Sequence, residues 1–318
     1  MPLRIVYMGT PEFAVAPLKA LLEGGYRIAG VVTVPDRPAG RGRHLQAPAV
    51  KSFALAHGLP LAQPDHLRDD DFLRRLREWQ ADVFVVVAFR MLPEAVFSIP
   101  PCGTFNLHAS LLPQYRGAAP INRAIMNGEK ETGVTTFFID RTMDTGRLIF
   151  SEPATIADDE NAGQLHDRLM ALGAQVVLRT VKAIADGTVR ATPQAIPEGE
   201  LKVAPKITKE TRQIDWRRPA KAVYNQIRGL APAPGATAGL QDMKTATTTA
   251  VKILAATCDD TPHSLPPGTV RMDGRRGLKV ACGDGFIALA RLQPAGRQPM
   301  SAADFLAGFR HPEQYRMT

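Results

Sequence analysis

"ADVFVVVAF", residues 81–89, is apolar at every second position and also at most of the positions between. Successive side chains of a strand point to opposite faces, so this stretch must be covered on both sides. Helices packed on each face of a parallel sheet meet that condition. The flanking sequence supplies them. "LRIVYM" (3–8) is a short strand ending at Gly9, and "PEFAVAPLKALLEGG" opens on Pro11 and closes on Gly24 and Gly25, as helices start and stop. "YRIAGVVTV" (26–34) is the next strand, followed by a long turn-rich loop and a helix from about Pro48 to His57. "LPLAQ" is strand-like and "DDFLRRLREWQ" helical. Downstream, "TGVTTFFI" and "GRLIFSEPA" are strands, and Asn161 can cap a long helix that keeps Leu165, Leu169, Leu172 and Val176 on one face and stops at Gly187. This alternation predicts a doubly wound, Rossmann-like α/β domain over residues 1–190.

Prolines interrupt the pattern in "ATPQAIPEGELKVAPK" (191–206), which reads as a linker. Residues 207–318 begin with one helical piece, "RPAKAVYNQIRGL". They continue as short strand-like runs, with "CGDGF" (282–286) as a hairpin turn. That spacing suits a small OB-like β-barrel, a fold that commonly binds nucleic acid. Charge points the same way. The net charge of the 318 residues is +8, and residues 206–318 hold 17 Lys and Arg against 9 Asp and Glu, which accounts for all of it. A basic excess confined to one part of a chain suits a polyanionic partner.

Several classes are excluded. No apolar run reaches the roughly 18 residues of a membrane span. The N-terminus enters a strand directly with no leader, so a cytoplasmic location is expected. Cys102, Cys258 and Cys282 are far apart and in no ligand spacing, which reads as free thiols with no metal. The first strand-turn-helix carries Gly9 alone and lacks the dinucleotide fingerprint. No Ser or Cys occupies a nucleophile elbow.

Polar chemistry concentrates in "FNLHASLLPQYRGAAPI" (105–121). Asn106 and His108 are two apart on a strand, so they share a face at its carboxyl end, where ligands of open α/β sheets bind. An amide N–H and an imidazolium N–H aimed at one point can hold an oxygen that gains negative charge. Asp144, in "DRTMDTG", follows the next strand and can orient or charge His108. Taken singly, a strand-end His, an Asn before a turn and an Asp-Thr-Gly turn are each commonly structural. The combination suits acyl-type transfer to an amine carried by the substrate.

N-x-H, S-L-L-P and D-T-G in this order resemble the folate-dependent formyltransferase family. "MGTPEFA" (8–14) and "PDRPAGRGR" (35–43) resemble, more narrowly, the members that act on a charged initiator tRNA. The resemblance implies that 10-formyltetrahydrofolate gives its formyl group to the α-amine of initiator methionyl-tRNA. A monomer with no metal is expected. It implies that Asn106 and His108 hold the formyl oxygen while Asp144 keeps His108 charged or helps remove the amine proton. Ser110, Leu111, Leu112 and Pro113 become the backbone and apolar ledge for the folate.

The loop bearing Arg37, Arg41 and Arg43 is longer than the usual 2–6 residues between strand and helix, and its guanidinia suit phosphates. Lys206 and Lys209, with Arg217, Arg218, Lys221 and Arg228 beyond them, would continue a phosphate-tracking surface. The sequence departs from the family at Arg90, where a glycine is expected, at Thr142, and in "GLAPAPGAT" (229–237), which lacks an aromatic residue. Two other functions fit less of the chain. Formylation of a small amine, such as a glycinamide nucleotide or an amino-sugar nucleotide, leaves the basic second domain unexplained. A non-catalytic RNA-binding protein leaves the Asn-His-Asp set unexplained.

Overall fold

A computed structural model describes residues 3–39, 44–196, 199–274, 277–307 and 311–318. Arg41 and Arg43 therefore lie outside the described residues. The chain divides into two compact units: Met1–Gly117, Glu131–Thr155 and His166–Ala204 form the first, and Ala118–Lys130, Ile156–Leu165 and Pro205–Thr318 the second.

The first unit opens with β1 (Arg4–Gly9), α1 (Val15–Glu23) and β2 (Arg27–Val32). Next comes a two-stranded antiparallel ribbon, β3 (Arg37–Ala39) and β4 (His44–Gln46), in place of an irregular loop. Then follow α2 (Ala49–Ala56), β5 (Leu61–Ala62), α3 (Asp70–Glu78), β6 (Val83–Val87), α4 (Glu94–Phe97), β7 (Thr104–His108) and the short β8 (Arg116–Gly117). Helix α5 (Pro120–Met126) belongs to the second unit. The chain returns through β9 (Glu131–Phe138), β10 (Leu148–Thr155), the long α6 (Ala162–Ala185) and β11 (Val203–Ala204).

The main sheet has the order β10-β9-β7-β6-β1-β2-β5. The strands from β7 to β5 are parallel, while β9 runs antiparallel to both β7 and β10. All five residues of β6 are buried, as its apolar run requires. Val6, Met8, Phe84 and Val86 pack with Phe72, Leu73 and Leu76 of α3 on one face. Alternation sends Ile5, Tyr7, Val83 and Val85, all fully buried, to the other. Burying both faces stabilises by roughly 25 cal/mol per Å² of apolar surface, which is why the pattern outweighs local propensity.

The helix ends follow their sequence. Asp69 accepts the N–H of Phe72 at 3.1 Å to cap α3, whose first turn holds Asp70 and Asp71 and whose last holds Arg75 and Arg77. These charges complement the helix dipole. Asn161 and Gln164 cap α6 reciprocally: each side-chain oxygen accepts the other's backbone N–H, at 3.0 and 2.9 Å. Gly187, at φ +67, follows the end of α6. Cys102, exposed, sits in the turn that leads into β7, at the end away from His108.

The second unit adds α7 (Lys209–Arg212), α8 (Ala220–Leu230), β12 (Ala236–Asp242), β13 (Thr248–Asp259), β14 (Val270–Asp273), β15 (Gly277–Ala281), β16 (Phe286–Pro294), β17 (Met300–Ser301), α9 (Ala302–Ala307) and β18 (Tyr315–Met317). The antiparallel order is β14-β15-β16-β13-β12-β18, and β17 lies against β16. A bridge between Thr269 and Arg316, with Met317 N–H donating to the Gly268 carbonyl at 2.8 Å, joins the two ends into a barrel. Gly268 has φ +85, and a Cβ there would collide with the Met317 carbonyl, so the closure requires glycine. Closing the sheet removes its exposed edges. The turn between β15 and β16 is the expected hairpin, with Cys282 N–H donating to the Gly285 carbonyl at 2.7 Å. Val223, Ile227 and Leu230 of α8 join the barrel core. Burial pushes the Cys282 thiol up to about 12 and that of Cys258 up to about 11. Among the described residues, no helix is long and apolar enough to cross a membrane.

Candidate active site

β7 brings the polar pair to the rim of the sheet. Phe105 and Leu107 are buried, and a Cβ on Gly173 of α6 would lie 2.7 Å from the Leu107 side chain. Asn106 and His108 therefore face the side of the sheet opposite α6. β7 is held in register on both flanks: Asn106 lies opposite Val86 and Phe137, and His108 opposite Thr135.

The His108 side chain is 7% exposed. Its Nε2–H donates to the Tyr115 carbonyl at 2.8 Å, which fixes the ring and places a proton on that nitrogen. The other nitrogen, Nδ1, lies 3.9 Å from Asp144 Oδ2. That spacing is too long for a hydrogen bond and short enough for charge to act through space. Asp144 Oδ2 accepts the Gly117 N–H at 2.9 Å. Asp144 itself sits at φ +56, in the left-handed region, and Tyr115 at φ +60. A Cβ on Gly146 would strike the Phe138 carbonyl, so the last residue of the Asp-Thr-Gly turn must be glycine. Asn106 is half-buried, and its Oδ1 is enclosed without a hydrogen-bond partner. A buried acceptor in that condition lacks the partner that such groups ordinarily have. The structure thus brings His108 and Asp144 together and sets Asn106 on the same face of β7 as His108. Among the described residues no hydrogen bond or ion pair joins Asn106 to either.

The "SLLP" turn divides into two roles. Ser110 is fully buried; its hydroxyl donates to the Gln114 carbonyl at 2.7 Å, and its own carbonyl accepts from Thr135 Oγ1 at 2.7 Å. Leu112 is 6% exposed, and its N–H donates to Thr135 Oγ1 at 3.2 Å. The peptide bond between Leu112 and Pro113 is cis. Ser110 and Leu112 build the turn, while Leu111 and Pro113 keep part of their apolar surface exposed beside the rim.

Arg37 is exposed on the ribbon strand β3. Arg90 donates to the carbonyls of Asp65 at 2.9 Å and Pro64 at 2.8 Å and lies 5.3 Å from the Phe89 ring centroid. It thereby staples the turn after β6 to the loop after β5. Burial and the neighbouring Arg37 hold its guanidinium below the usual arginine range. In the second unit Lys206 and Lys209 are exposed, as are Arg217, Arg218 and Lys221. Arg228 does not join them. It is 5% exposed and donates to Asn225 Oδ1 at 2.9 Å, to the Glu160 carbonyl at 3.0 Å and to the Ala157 carbonyl at 3.2 Å. A guanidinium committed to three protein oxygens cannot track phosphates, and its helical position on α8 faces inward. Sequence reasoning also missed the backbone groups of Tyr115 and Gly117, which no residue type advertises. Among the described residues, no group of three or more His, Cys, Asp or Glu could hold a metal ion.

This fold and rim define a known class. The formyl transferase family model matches residues 3–181, and the model of the formyl transferase C-terminal domain matches residues 206–310. The chain belongs to the formyl transferase family. Methionyl-tRNA formyltransferase of Bacteroides fragilis is 50% identical over 317 residues, covering 99% of this chain and 98% of that protein. The methionyl-tRNA formyltransferase of Bacteroides thetaiotaomicron is 51% identical with the same coverage. Among solved structures, WlaRD, a sugar 3N-formyl transferase, matches with a TM-score of 0.63 at 17% identity, covering 94% of this chain and all of that one. HypX from Aquifex aeolicus in complex with tetrahydrofolic acid has a TM-score of 0.64 at 18% identity and covers 96% of this chain. This chain spans 47% of HypX. These two structures share the fold.

Proposed function

We propose that this protein transfers the formyl group of 10-formyltetrahydrofolate to the free α-amine of initiator methionyl-tRNA, giving N-formylmethionyl-tRNA. The observation that carries the chemistry is an imidazole whose second nitrogen faces a carboxylate, on the same face of β7 as Asn106, whose enclosed Oδ1 has no hydrogen-bond partner. The full-length relatives that are half identical supply the acceptor. The donor substrate fits the rim: Leu111 and Pro113 offer it an apolar ledge, and Asn106 offers an amide.

In this reading the α-amine nitrogen attacks the formyl carbon, and the carbonyl electrons move onto oxygen. The Asn106 amide donates to that oxygen. His108 lies between the Tyr115 carbonyl and the Asp144 carboxylate, so a second proton on its ring rests on Nδ1 and sets a positive charge beside the oxyanion. Asp144, directly or through Nδ1, receives the proton that the amine loses. Collapse breaks the bond from carbon to N10, and N10 takes up a proton. Arg37, Arg41, Arg43, Lys206 and Lys209 contact tRNA phosphates, with residues 207–318 as the tRNA-binding domain. The protein acts in the cytoplasm as a monomer.

The test is formyl transfer from 10-formyltetrahydrofolate with methionyl-initiator-tRNA as acceptor and glycinamide ribonucleotide as a second acceptor. Formylation of the charged tRNA alone is expected. Formylation of the nucleotide in preference to the tRNA would overturn the reading.

A further inference from the structure

The segment after α6 returns to the rim and grips it. Leu148 and Thr192 exchange two backbone hydrogen bonds, at 2.7 and 2.9 Å, and Arg147 donates to the Ala191 carbonyl at 2.6 Å. Two residues further on, Gln194 Nε2 donates to the carbonyls of both Asp144 and Gly146, each at 2.9 Å. Its Oε1 accepts from Arg116 Nη2 at 2.6 Å and Nε at 3.2 Å. The same segment then pairs Val203 and Ala204 in parallel with Arg116 and Gly117. Gly117 is the residue whose N–H holds the Asp144 carboxylate. Asp144 is thus fixed at both its backbone carbonyl and its side chain, and one stretch of chain braces both.

The bracing has a physical reason. A non-glycine residue in the left-handed region costs on the order of 1–3 kcal/mol and persists only where its surroundings over-determine it. A glutamine meets the need because it offers two N–H donors to the two carbonyls and an acceptor to the guanidinium. A carboxylate of the same shape would keep the pairing with arginine and point a negative oxygen at two carbonyl oxygens.

We infer that Gln194 is a positioning residue: it holds the Asp144 turn in the conformation that directs the carboxylate at His108. The inference rests on the proposed role of Asp144. Its test compares Q194E, D144N and the double variant with the wild type, measuring kcat, the KM for folate donor and for methionyl-tRNA, and Tm. Q194E is expected to lower kcat about 10- to 100-fold, the scale of a misplaced group near a reacting centre, while both KM values stay within about twofold and Tm within a few degrees. In the D144N background the same change should cost no more than about twofold, because Gln194 acts only through Asp144. Q194M, neutral and of equal length, carries the same comparison should Q194E fail to fold. Full, independent loss in the double variant, an unchanged kcat, or collapse of folding in both variants would overturn the inference. Wild-type kcat in D144N would overturn the role of Asp144 itself, which separates that failure from the failure of Gln194.

Discussion

At the rim of the first unit, nearly every polar group is held by a backbone atom. His108 is fixed by the Tyr115 carbonyl, Asp144 by the Gly117 N–H, and Gln194 by the carbonyls of Asp144 and Gly146. In the second unit the basic residues Lys206, Lys209, Arg217, Arg218 and Lys221 lie at the surface on long side chains. Arg217 pairs there with the Asp215 carboxylate at 2.8 and 2.9 Å, and Arg228 is buried and holds the fold. Bond chemistry needs atoms placed to within fractions of an ångström, and main-chain partners supply that placement. Attraction to a polyanion depends on how many charges are accessible and tolerates their motion. Under the proposed function, positional constraint would mark the first kind of site and accessible charge the second.

The sharpest way to break this contrast is at the rim. His108→Ala and Asn106→Ala should each lower formyl transfer about 10²-fold or more, as for loss of an oxyanion donor. Single-turnover rates check this, and near-wild-type rates in both variants would remove the rim as the reacting centre. Next in size is Arg228→Met, which leaves the carbonyls of Ala157 and Glu160 and Asn225 Oδ1 short of a donor. It should destabilise the protein by about 3 kcal/mol or more, since each of the three unsatisfied buried groups costs about 1–3. The salt dependence of tRNA binding should not change. A urea midpoint equal to wild type, or a reduced salt slope, would move Arg228 back among the phosphate-tracking residues.

Lys206→Ala and Lys209→Ala should show the opposite pattern, with unchanged folding and a tRNA salt slope lowered by about 1 for each phosphate that no longer meets an ammonium. An unaltered slope would leave these lysines as solvated surface. The smallest effect concerns Asp36, which the Lys51 ammonium and the Gln63 amide hold below its ordinary value of 3.8. A depressed carboxyl adds stability above that ordinary value and loses it as pH falls through the lower folded one. Lys51→Met should therefore lower Tm slightly at pH 7, and the difference should shrink as the pH drops below about 4. A pH-independent difference would point to lost packing of the lysine stem instead.

Which parts of the molecule the sequence discloses follows the same division. "ADVFVVVAF" could only be a doubly covered strand, and the alternation around it fixed the sheet, because burial of both faces constrains every residue. The short barrel strands between Gly, Pro and Asp were legible for a related reason, since chain reversals demand particular residue types. The antiparallel pairing of β9 with β7 was not legible, because local pattern carries no strand direction. Nor was the ribbon around Arg37: two three-residue strands flanked by Pro and Gly look like any irregular loop. Asn106, His108 and Asp144 could be selected by residue type and position, yet the fixing of the ring by Tyr115 depends on a carbonyl that every residue possesses. Arg228 was misassigned because a count of charges says nothing of burial. Its place in α8, between Ile227 and Leu230 of the buried helix end, held the signal.

Of the three thiols, those of Cys258 and Cys282 stay protonated well above neutral pH, whereas Cys102 is exposed at the end of β7 remote from His108. Partial burial and nearby Asp82 also raise the Cys102 thiol, so it should react with a maleimide slowly, and faster in mildly alkaline buffer. A fluorophore attached there would sit in the turn before the strand that carries Asn106 and His108, at the end remote from His108, giving a reporter for titrations with unmodified RNA and folate.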